Sequence, residues 1–331
     1  MELSQLGEFA LIDLIKKDTI CNKKNLVIGI GDDAAAFIPA PHQLQLITTD
    51  MLVENVHFDL RTTSARHLGY KSIAVNLSDI AAMGGLPTHV VISIALPKDL
   101  SVDFVIALYE GMKEICYEFG VNIVGGDTVS SPHGLVINVT AIGEVEPEKL
   151  QRRSGASVGE LIVVTGTLGD SGCGLDLLLQ GTWKDYDFYQ PLVTRHVTPK
   201  PQVKAGSLLA SYGATSMNDI SDGLASEANE IARASKVGMI IYEKEIPLSP
   251  EVNSAALKLG KAGAHYALYG GEDYQLLFTI LPEKFNLLSQ AELGLTLTVI
   301  GEVKEQSHGV LLAAEDGTAS LLEPKGYNHF R

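Results

Sequence analysis

The stretch Asn76-Leu77-Ser78-Asp79-Ile80-Ala81-Ala82-Met83-Gly84-Gly85 constrains this chain most. Ile73, Leu77 and Ile80 recur at i, i+4 and i+7, so they share one face of a helix predicted over Arg66 to Gly85. Asn76 and Asp79 are three apart and stack on a neighbouring face, one turn from each other. Ala81, Ala82, Gly84 and Gly85 follow, and residues this small let backbone or a ligand come close. A carboxylate among leucine, isoleucine, alanine and methionine is costly to desolvate unless a cation or several donors meet it. One such aspartate reads as a solvated helix residue or a cap, but five more in similar settings weaken that reading.

Those five are Asp33, Asp50, Asp127, Asp219 and Asp222. Asp33, Asp50 and Asp127 are expected just beyond apolar strands, after Gly31, Thr48-Thr49 and Gly125-Gly126, where loops carry sites on rigid elements. Asp219 and Asp222 are three apart at a predicted helix start and can point to one side. Almost no basic residue sits beside any of the six, so a cluster of them repels itself. Magnesium, a hard cation that takes carboxylate oxygens, offsets that repulsion and commonly brings a phosphate with it. Calcium storage is the competing reading, disfavoured because no EF-hand loop is present.

The balance of charge agrees. Lys and Arg number 25 against 40 Asp and Glu, a net charge of −15, which argues against a nucleic-acid surface but leaves phosphorylated substrates open if divalent ions supply the positive charge. With 331 residues, 46% hydrophobic and 20% charged, the chain reads as two globular domains. The start, Met1 to Glu8, has no basic and apolar leader, and no apolar run approaches the roughly 18 residues of a membrane span. Cys21, Cys116 and Cys173 are far apart and unpaired by spacing, as reduced thiols of a cytoplasmic protein are.

In order, the expected elements begin with a helix over Glu8 to Lys16 and strands over Leu26 to Ile30 and Gln43 to Ile47. A strand over Val90 to Leu96, a helix over Val102 to Phe119 and strands over Val121 to Val124 and Leu135 to Gly143 follow the Asp79 helix. Glu144 to Lys149, charged and proline-containing, marks the expected boundary between domains 1–148 and 149–331. The second half opens with a strand over Leu161 to Gly166 and a glycine-rich turn, Gly169 to Gly174, into a helix. Trp183 to Pro201 reads as irregular connection, and Asn218 onward as a helix to Lys236. Strands over Met239–Tyr242, Gln275–Ile280, Leu295 to Ile300 and Val310 to Ala313 complete the chain. Hairpin-like and crossover spacings mix, which makes the fold class α+β. Gly125-Gly126-Asp127 and Gly270-Gly271-Glu272 are weak echoes suggesting related layouts in the two halves. There is no Walker A motif and no protein-kinase motif set, so ATP chemistry here requires another fold.

The segments Gly29-Ile30-Gly31-Asp32-Asp33-Ala34, Thr48-Thr49-Asp50, Asn76 to Gly84, Gly125-Gly126-Asp127-Thr128, Arg153-Ser154-Gly155-Ala156, Ile220-Ser221-Asp222-Gly223-Leu224, Gly270-Gly271-Glu272-Asp273-Tyr274 and Lys325 to Phe330 together resemble the thiamine-monophosphate kinase family. That family belongs to the aminoimidazole-ribotide-synthetase-like, or PurM-like, superfamily. The resemblance runs through the whole chain in order. It implies ATP-dependent phosphorylation of thiamine monophosphate to thiamine diphosphate, several Mg2+ ions, and nucleotide held between two domains. It also implies a homodimer whose N-terminal sheets pair into a barrel.

Position by position, the resemblance implies that Asp33, Thr48, Thr49, Asp50, Asp79, Asp127, Asp219 and Asp222 ligate magnesium. It implies ATP contacts at Tyr109, Gly125, Gly126, Arg153 and Ser221, and substrate contacts at His57, Glu272 and Tyr327. Taken singly, His57 is a loop histidine, Arg153 a solvated charge, Tyr327 a packing residue and Glu272 a helix-start acid favoured by the dipole. No general base or covalent nucleophile is expected, because the acceptor phosphate is already ionised near neutral pH. Two alternatives stay open: another ATP-dependent enzyme of the superfamily, and a non-catalytic nucleotide-binding dimer. Cys21 lacks the glycine-rich setting of a selenophosphate synthetase cysteine, and the chain ends in His329-Phe330-Arg331 where the hydrogenase-maturation relative ends in cysteine.

Overall fold

The computed structural model describes residues 2–181, 187–290, 294 and 296–326. The chain forms two compact units, one of Met1–Ile80 with Gly85–Glu148, the other of Ala81–Gly84 with Lys149–Arg331.

The first unit starts with two short helices, α1 (Leu3–Leu6) and α2 (Glu8–Ile15), and a small antiparallel ribbon of β1 (Leu26–Ile28) and β2 (Ala36–Phe37). Then come β3 (Leu44–Val53), α3 (Ala65–Ala82), β4 (Leu86–Pro97), α4 (Val102–Phe119), β5 (Asn122–Ser131) and β6 (Val136–Val145). Four strands make one sheet in the order β3-β6-β4-β5, antiparallel except for the β4/β5 pair, which α4 joins as a crossover. β6 alternates without a break, with Ile137, Val139, Ala141 and Val145 buried on one face.

α4 carries a buried stripe of Val102, Val105, Leu108, Tyr109, Met112, Ile115 and Cys116, the spacing of one helical face. Ser101 caps its start by accepting from the Phe104 N–H at 3.1 Å, and Gly120 ends it in the left-handed conformation. Two glycines set the crossing of α3 and α4. A Cβ on Gly69 would lie 1.9 Å from the Leu108 carbonyl oxygen, and one on Gly111 would lie 1.8 Å from that of Arg66. The two backbones therefore meet where only glycine fits.

The second unit contains β7 (Leu161–Thr165), α5 (Asp170–Gln180), α6 (Gln190–Val197), α7 (Val203–Tyr212), β8 (Ser216–Asp219), α8 (Leu224–Ser235), β9 (Gly238–Tyr242) and α9 (Pro250–Lys258). It ends with α10 (Gly263–Tyr269), β10 (Leu276–Ile280), α11 (Pro282–Leu288), β11 (Leu297–Lys304), β12 (Val310–Ala313) and β13 (Ala319–Leu321). Among the described residues, seven strands form a sheet in the order β13-β12-β9-β11-β7-β10-β8, with only β12/β9 parallel. Period-two alternation sends neighbouring residues into opposite cores. Ile162, Val164 and Leu277 pack with α8 and α10, whereas Val163, Leu276 and Phe278 pack with α7 and α11. The sheet is therefore covered on both faces. No described helix is long and apolar enough to cross a membrane.

The α+β class of the sequence reading holds, with several local corrections. β3 and β5 run through Thr48-Thr49-Asp50 and Gly125-Gly126-Asp127, so Asp50 and Asp127 lie within strands, not beyond them. Cross-strand pairing with β6 and β4 outweighs the weak strand preference of those polar and glycine positions. The segment expected to be irregular contains α6; its residues 182–186 lie outside the described set. Asn218 and Asp219 close a strand paired with β10 instead of opening a helix. The two glycine echoes do not correspond, one lying in a strand and the other ahead of one.

The glycine crossing yields a test. In Gly111→Ala, the added methyl meets backbone that cannot move aside singly, and overpacking costs about 1–3 kcal/mol against the roughly 1 kcal/mol alanine gains within a helix. A lower urea midpoint is expected. An unchanged or higher midpoint refutes the close-contact account.

Candidate functional site

In the first unit, strand alternation turns Thr48 and Asp50 towards α3 and turns Thr49 away. The Thr48 hydroxyl donates to Oδ2 of Asp79 at 2.5 Å. The Asp50 N–H donates to Oδ1 of Asn76 at 3.1 Å, and the Asn76 amide in turn donates to the Ser72 carbonyl one turn back, also at 3.1 Å. The face that carries Asn76 and Asp79 in the sequence is thus the one that meets β3. Burial first, then the charge of Asp79, pushes the Asp50 carboxyl up to about 6. The two carboxylates are thus held close enough for one to feel the charge of the other.

Thr49 is exposed, and its hydroxyl is engaged on the opposite face by the Val139 carbonyl at 3.1 Å. Asp33 and Asp127 are exposed, Asp33 in the turn after β1 and Asp127 on the edge strand β5 opposite Ser93. The structure does not gather these two with Asp50 and Asp79. Among the described residues no group of three or more acidic, histidine or cysteine side chains is positioned to hold a metal ion. The Asp50–Asp79 pair nevertheless fits a divalent cation, since added positive charge would relieve a repulsion already visible in the raised Asp50 pKa.

His57 accepts from the Val53 N–H through Nδ1 at 3.0 Å, which in the neutral ring leaves the proton on Nε2. Gly126 is held by packing, since a Cβ there would lie 2.1 Å from the Ile92 carbonyl oxygen, whereas Gly125 has room. Tyr109 is only 6% exposed, within the α4 stripe, and burial pushes its phenol well above the usual range.

In the second unit, Asp219 ends β8 and is buried, and Ser221 and Asp222 form the turn into α8. Gly223 makes that turn at φ +98, where a Cβ would lie 2.7 Å from the Leu268 carbonyl oxygen. Beneath the turn lies Glu227, 3% exposed. Its Oε2 accepts from the Asn218 amide, and its Oε1 accepts from the Asp222 N–H at 3.2 Å and the Ser221 hydroxyl at 3.4 Å. Arg153 donates through Nε to Oδ1 of Asn218 at 3.1 Å and pairs through Nη1 with Glu230 at 3.0 Å. Burial, then Asp219, pushes the Glu227 carboxyl up to about 8, against the pull of the Asp222 N–H. Both oxygens accept, as in the ionised form, while the surroundings resist ionisation. Cations at Asp219 and Asp222 would reconcile the two.

Glu272 adopts φ +68, unusual for a residue with a side chain, and its N–H donates to the Ser221 carbonyl at 2.7 Å. Its carboxylate lies 3.3 Å from Nδ1 of His196, which is also 3.1 Å from the Ser171 hydroxyl. Next to it, Asp273 accepts from the Gly169 and Ser171 N–H groups at the start of α5, at 2.6 and 3.1 Å. Burial still pushes the Asp273 carboxyl up to about 7. Tyr327 lies outside the described residues.

Asn218, Glu227 and His196 were not picked out from the sequence. Glu227 had a signal: it falls at i+3 from Leu224, on the buried stripe shared with Ala228 and Ile231, where a charge has no packing reason to be. His196 had none, being far from Glu272 in the sequence.

The model of the AIR synthase related protein N-terminal domain matches residues 31–145, and that of the C-terminal domain matches residues 157–313. Thiamine-monophosphate kinase of Aquifex aeolicus (strain VF5) is 42% identical over 330 residues, covering 100% of both chains. That of Bacillus subtilis (strain 168) is 40% identical over 333 residues, covering 98% of this chain and all of that one. Among solved structures, AaThiL complexed with AMPPCP and TMP superposes with a TM-score of 0.79 at 39% identity, covering 100% of this chain and 99% of that chain. With two-domain matches and full-length identities of this size, the chain belongs to the thiamine-monophosphate kinase family of AIR synthase related, PurM-like proteins.

Proposed function

We propose that this chain is a phosphotransferase that moves the γ-phosphoryl group of ATP onto the phosphate of thiamine monophosphate, giving thiamine diphosphate. The likeness over the whole chain to a complex holding AMPPCP, a methylene analogue of ATP, together with TMP carries the reading. Attack by one phosphate oxygen on another phosphorus needs no strong base, because the nucleophile is already ionised. The barrier comes from bringing two anions together in line, which positioning and charge neutralisation address.

Mg2+ would be held in the first unit by Thr48, Asp50 and Asp79 and in the second by Asp219 and Asp222. Asp33 and Asp127, which lie apart from the Asp50–Asp79 pair, are ligands that only the family likeness adds. When bound, magnesium supplies the positive charge that both phosphates need. Arg153 and Ser221 bind the nucleotide, with Gly125-Gly126 as a close backbone approach. His57, Glu272 and Tyr327 hold the thiamine phosphate. The burial of Tyr109 and the outward turn of Thr49 make these two the weakest members of the expected set.

We further propose a homodimer. Ile47, Met51 and Val129 lie on the sheet face turned away from α3 and are 72%, 53% and 50% exposed. Pairing this face with that of a second copy would bury them and close the barrel. A cytoplasmic location fits the three free cysteines, Cys21, Cys116 and Cys173.

Incubating the protein with thiamine monophosphate and Mg-ATP, then separating products chromatographically, tests the activity; no thiamine diphosphate overturns it. In Asp79→Asn, which keeps an acceptor for Thr48, turnover is expected to fall about 100-fold or more. Metal-free thermal stability at pH 7 should not fall, because a repelling charge is gone. The folded Asp50 pKa lies above its ordinary 3.8, at about 6. Ionising it therefore costs the folded state stability as pH rises through that window. Melting curves of metal-free protein should show this loss, and Mg2+ at pH 7 should recover it more in the unaltered protein than in Asp79→Asn.

A further inference from the structure

We infer that Glu227 and Asn218 form a polarity-fixed relay that positions Arg153, Ser221 and Asp222 for the nucleotide. This rests on the reading of Arg153 and Ser221 as nucleotide contacts. Glu227 itself is a positioning residue, buried beneath the turn.

Which atoms can donate fixes the direction of each link. Arginine has only donors, so the Arg153 Nε–H, 3.1 Å from Asn218, fixes the Asn218 oxygen towards it. The Asn218 amide nitrogen must then face Glu227, where it donates to Oε2. The other oxygen, Oε1, is occupied by a backbone donor that cannot be reversed, the Asp222 N–H at 3.2 Å, and by the Ser221 hydroxyl at 3.4 Å. Both side-chain oxygens of Glu227 must therefore accept, which a carboxylate does and an amide does not. One buried side chain thus orients the Nε edge of the guanidinium through Asn218, the hydroxyl and the backbone ahead of Asp222 together, while Glu230 holds Nη1 of Arg153 at 3.0 Å. Preset groups lose less freedom on binding nucleotide.

In Glu227→Gln, the new NH2 must face a donor whichever way it turns. Asn218→Asp instead sets two carboxylates against each other. The double change Asn218→Asp with Glu227→Gln restores a complete chain of donors and acceptors. The Arg153 Nε–H then donates to the carboxylate introduced by Asn218→Asp, and so does the NH2 introduced by Glu227→Gln. The Asp222 N–H donates to the oxygen of that same new amide. All three proteins keep side-chain volume nearly constant, so packing alone does not distinguish them.

The measurement is the Kd for Mg-AMPPCP by calorimetry on the unaltered protein and the three variants, with melting temperatures alongside. Each single change is expected to weaken binding about 10–100-fold, and the double change to recover most of it. If Glu227→Gln does not fold, the double variant should recover both folding and affinity. Unchanged affinity in folded Glu227→Gln overturns the relay, as does a folded double variant as weak as its parents. Thiamine diphosphate formation by the unaltered protein is scored separately. Nucleotide binding without turnover overturns the proposed activity and leaves the relay readable, whereas no nucleotide binding at all overturns both.

Discussion

Unbalanced negative charge, held in place by packing, is the constraint on which the rest of this molecule depends. Burial, and after it the charge of Asp79, raises the Asp50 pKa, and burial, and after it Asp219, raises that of Glu227. Each arrangement costs the fold free energy and gains only if positive charge arrives from outside. With 40 acidic and 25 basic residues, the chain supplies few cations of its own. A family whose two substrates both carry phosphate can use such a deficit, because the ions that relieve it also neutralise phosphate.

The two units reach this state by different means. In the first, a strand and a helix face each other, so alternation on β3 and the helical period on α3 together decide which polar groups meet. In the second, a buried strand end and a tight turn do the work, with Glu227 accepting from backbone, hydroxyl and amide at once. Hydrogen bonding to charged groups is among the stronger stabilising contacts, which is why so short a turn can be held in one geometry.

Much of this was legible in the sequence. Asn76 and Asp79 stood out because polar residues on an otherwise apolar helix violate its period, and the helix formed where the period placed it. The limits of α4 were readable because capping serine and terminal glycine flank a clear stripe. Asp50 was misplaced because Thr48-Thr49-Asp50 has little strand preference of its own, and only the pairing of all of β3 with β6 carries the strand through it. β8 was misread for the same reason: Ser216, Asn218 and Asp219 are polar yet buried, and β10 holds them extended. The pairing of His196 with Glu272 is a product of tertiary folding that no local pattern announces.

The glycine contacts between α3 and α4 reach further than their effect on packing. A helix can roll about its own axis, and each residue of slip is a rotation of about 100°. Gly69 and Gly111 interlock with carbonyls on the opposite backbone, so the pair behaves as a key in a slot and removes that degree of freedom. The azimuth of Asp79 is therefore set at a place well away from Asp79, by two residues with no side chain and no part in the chemistry. Drift at either glycine would leave every acid present in the sequence while aiming one of them at the wrong neighbour.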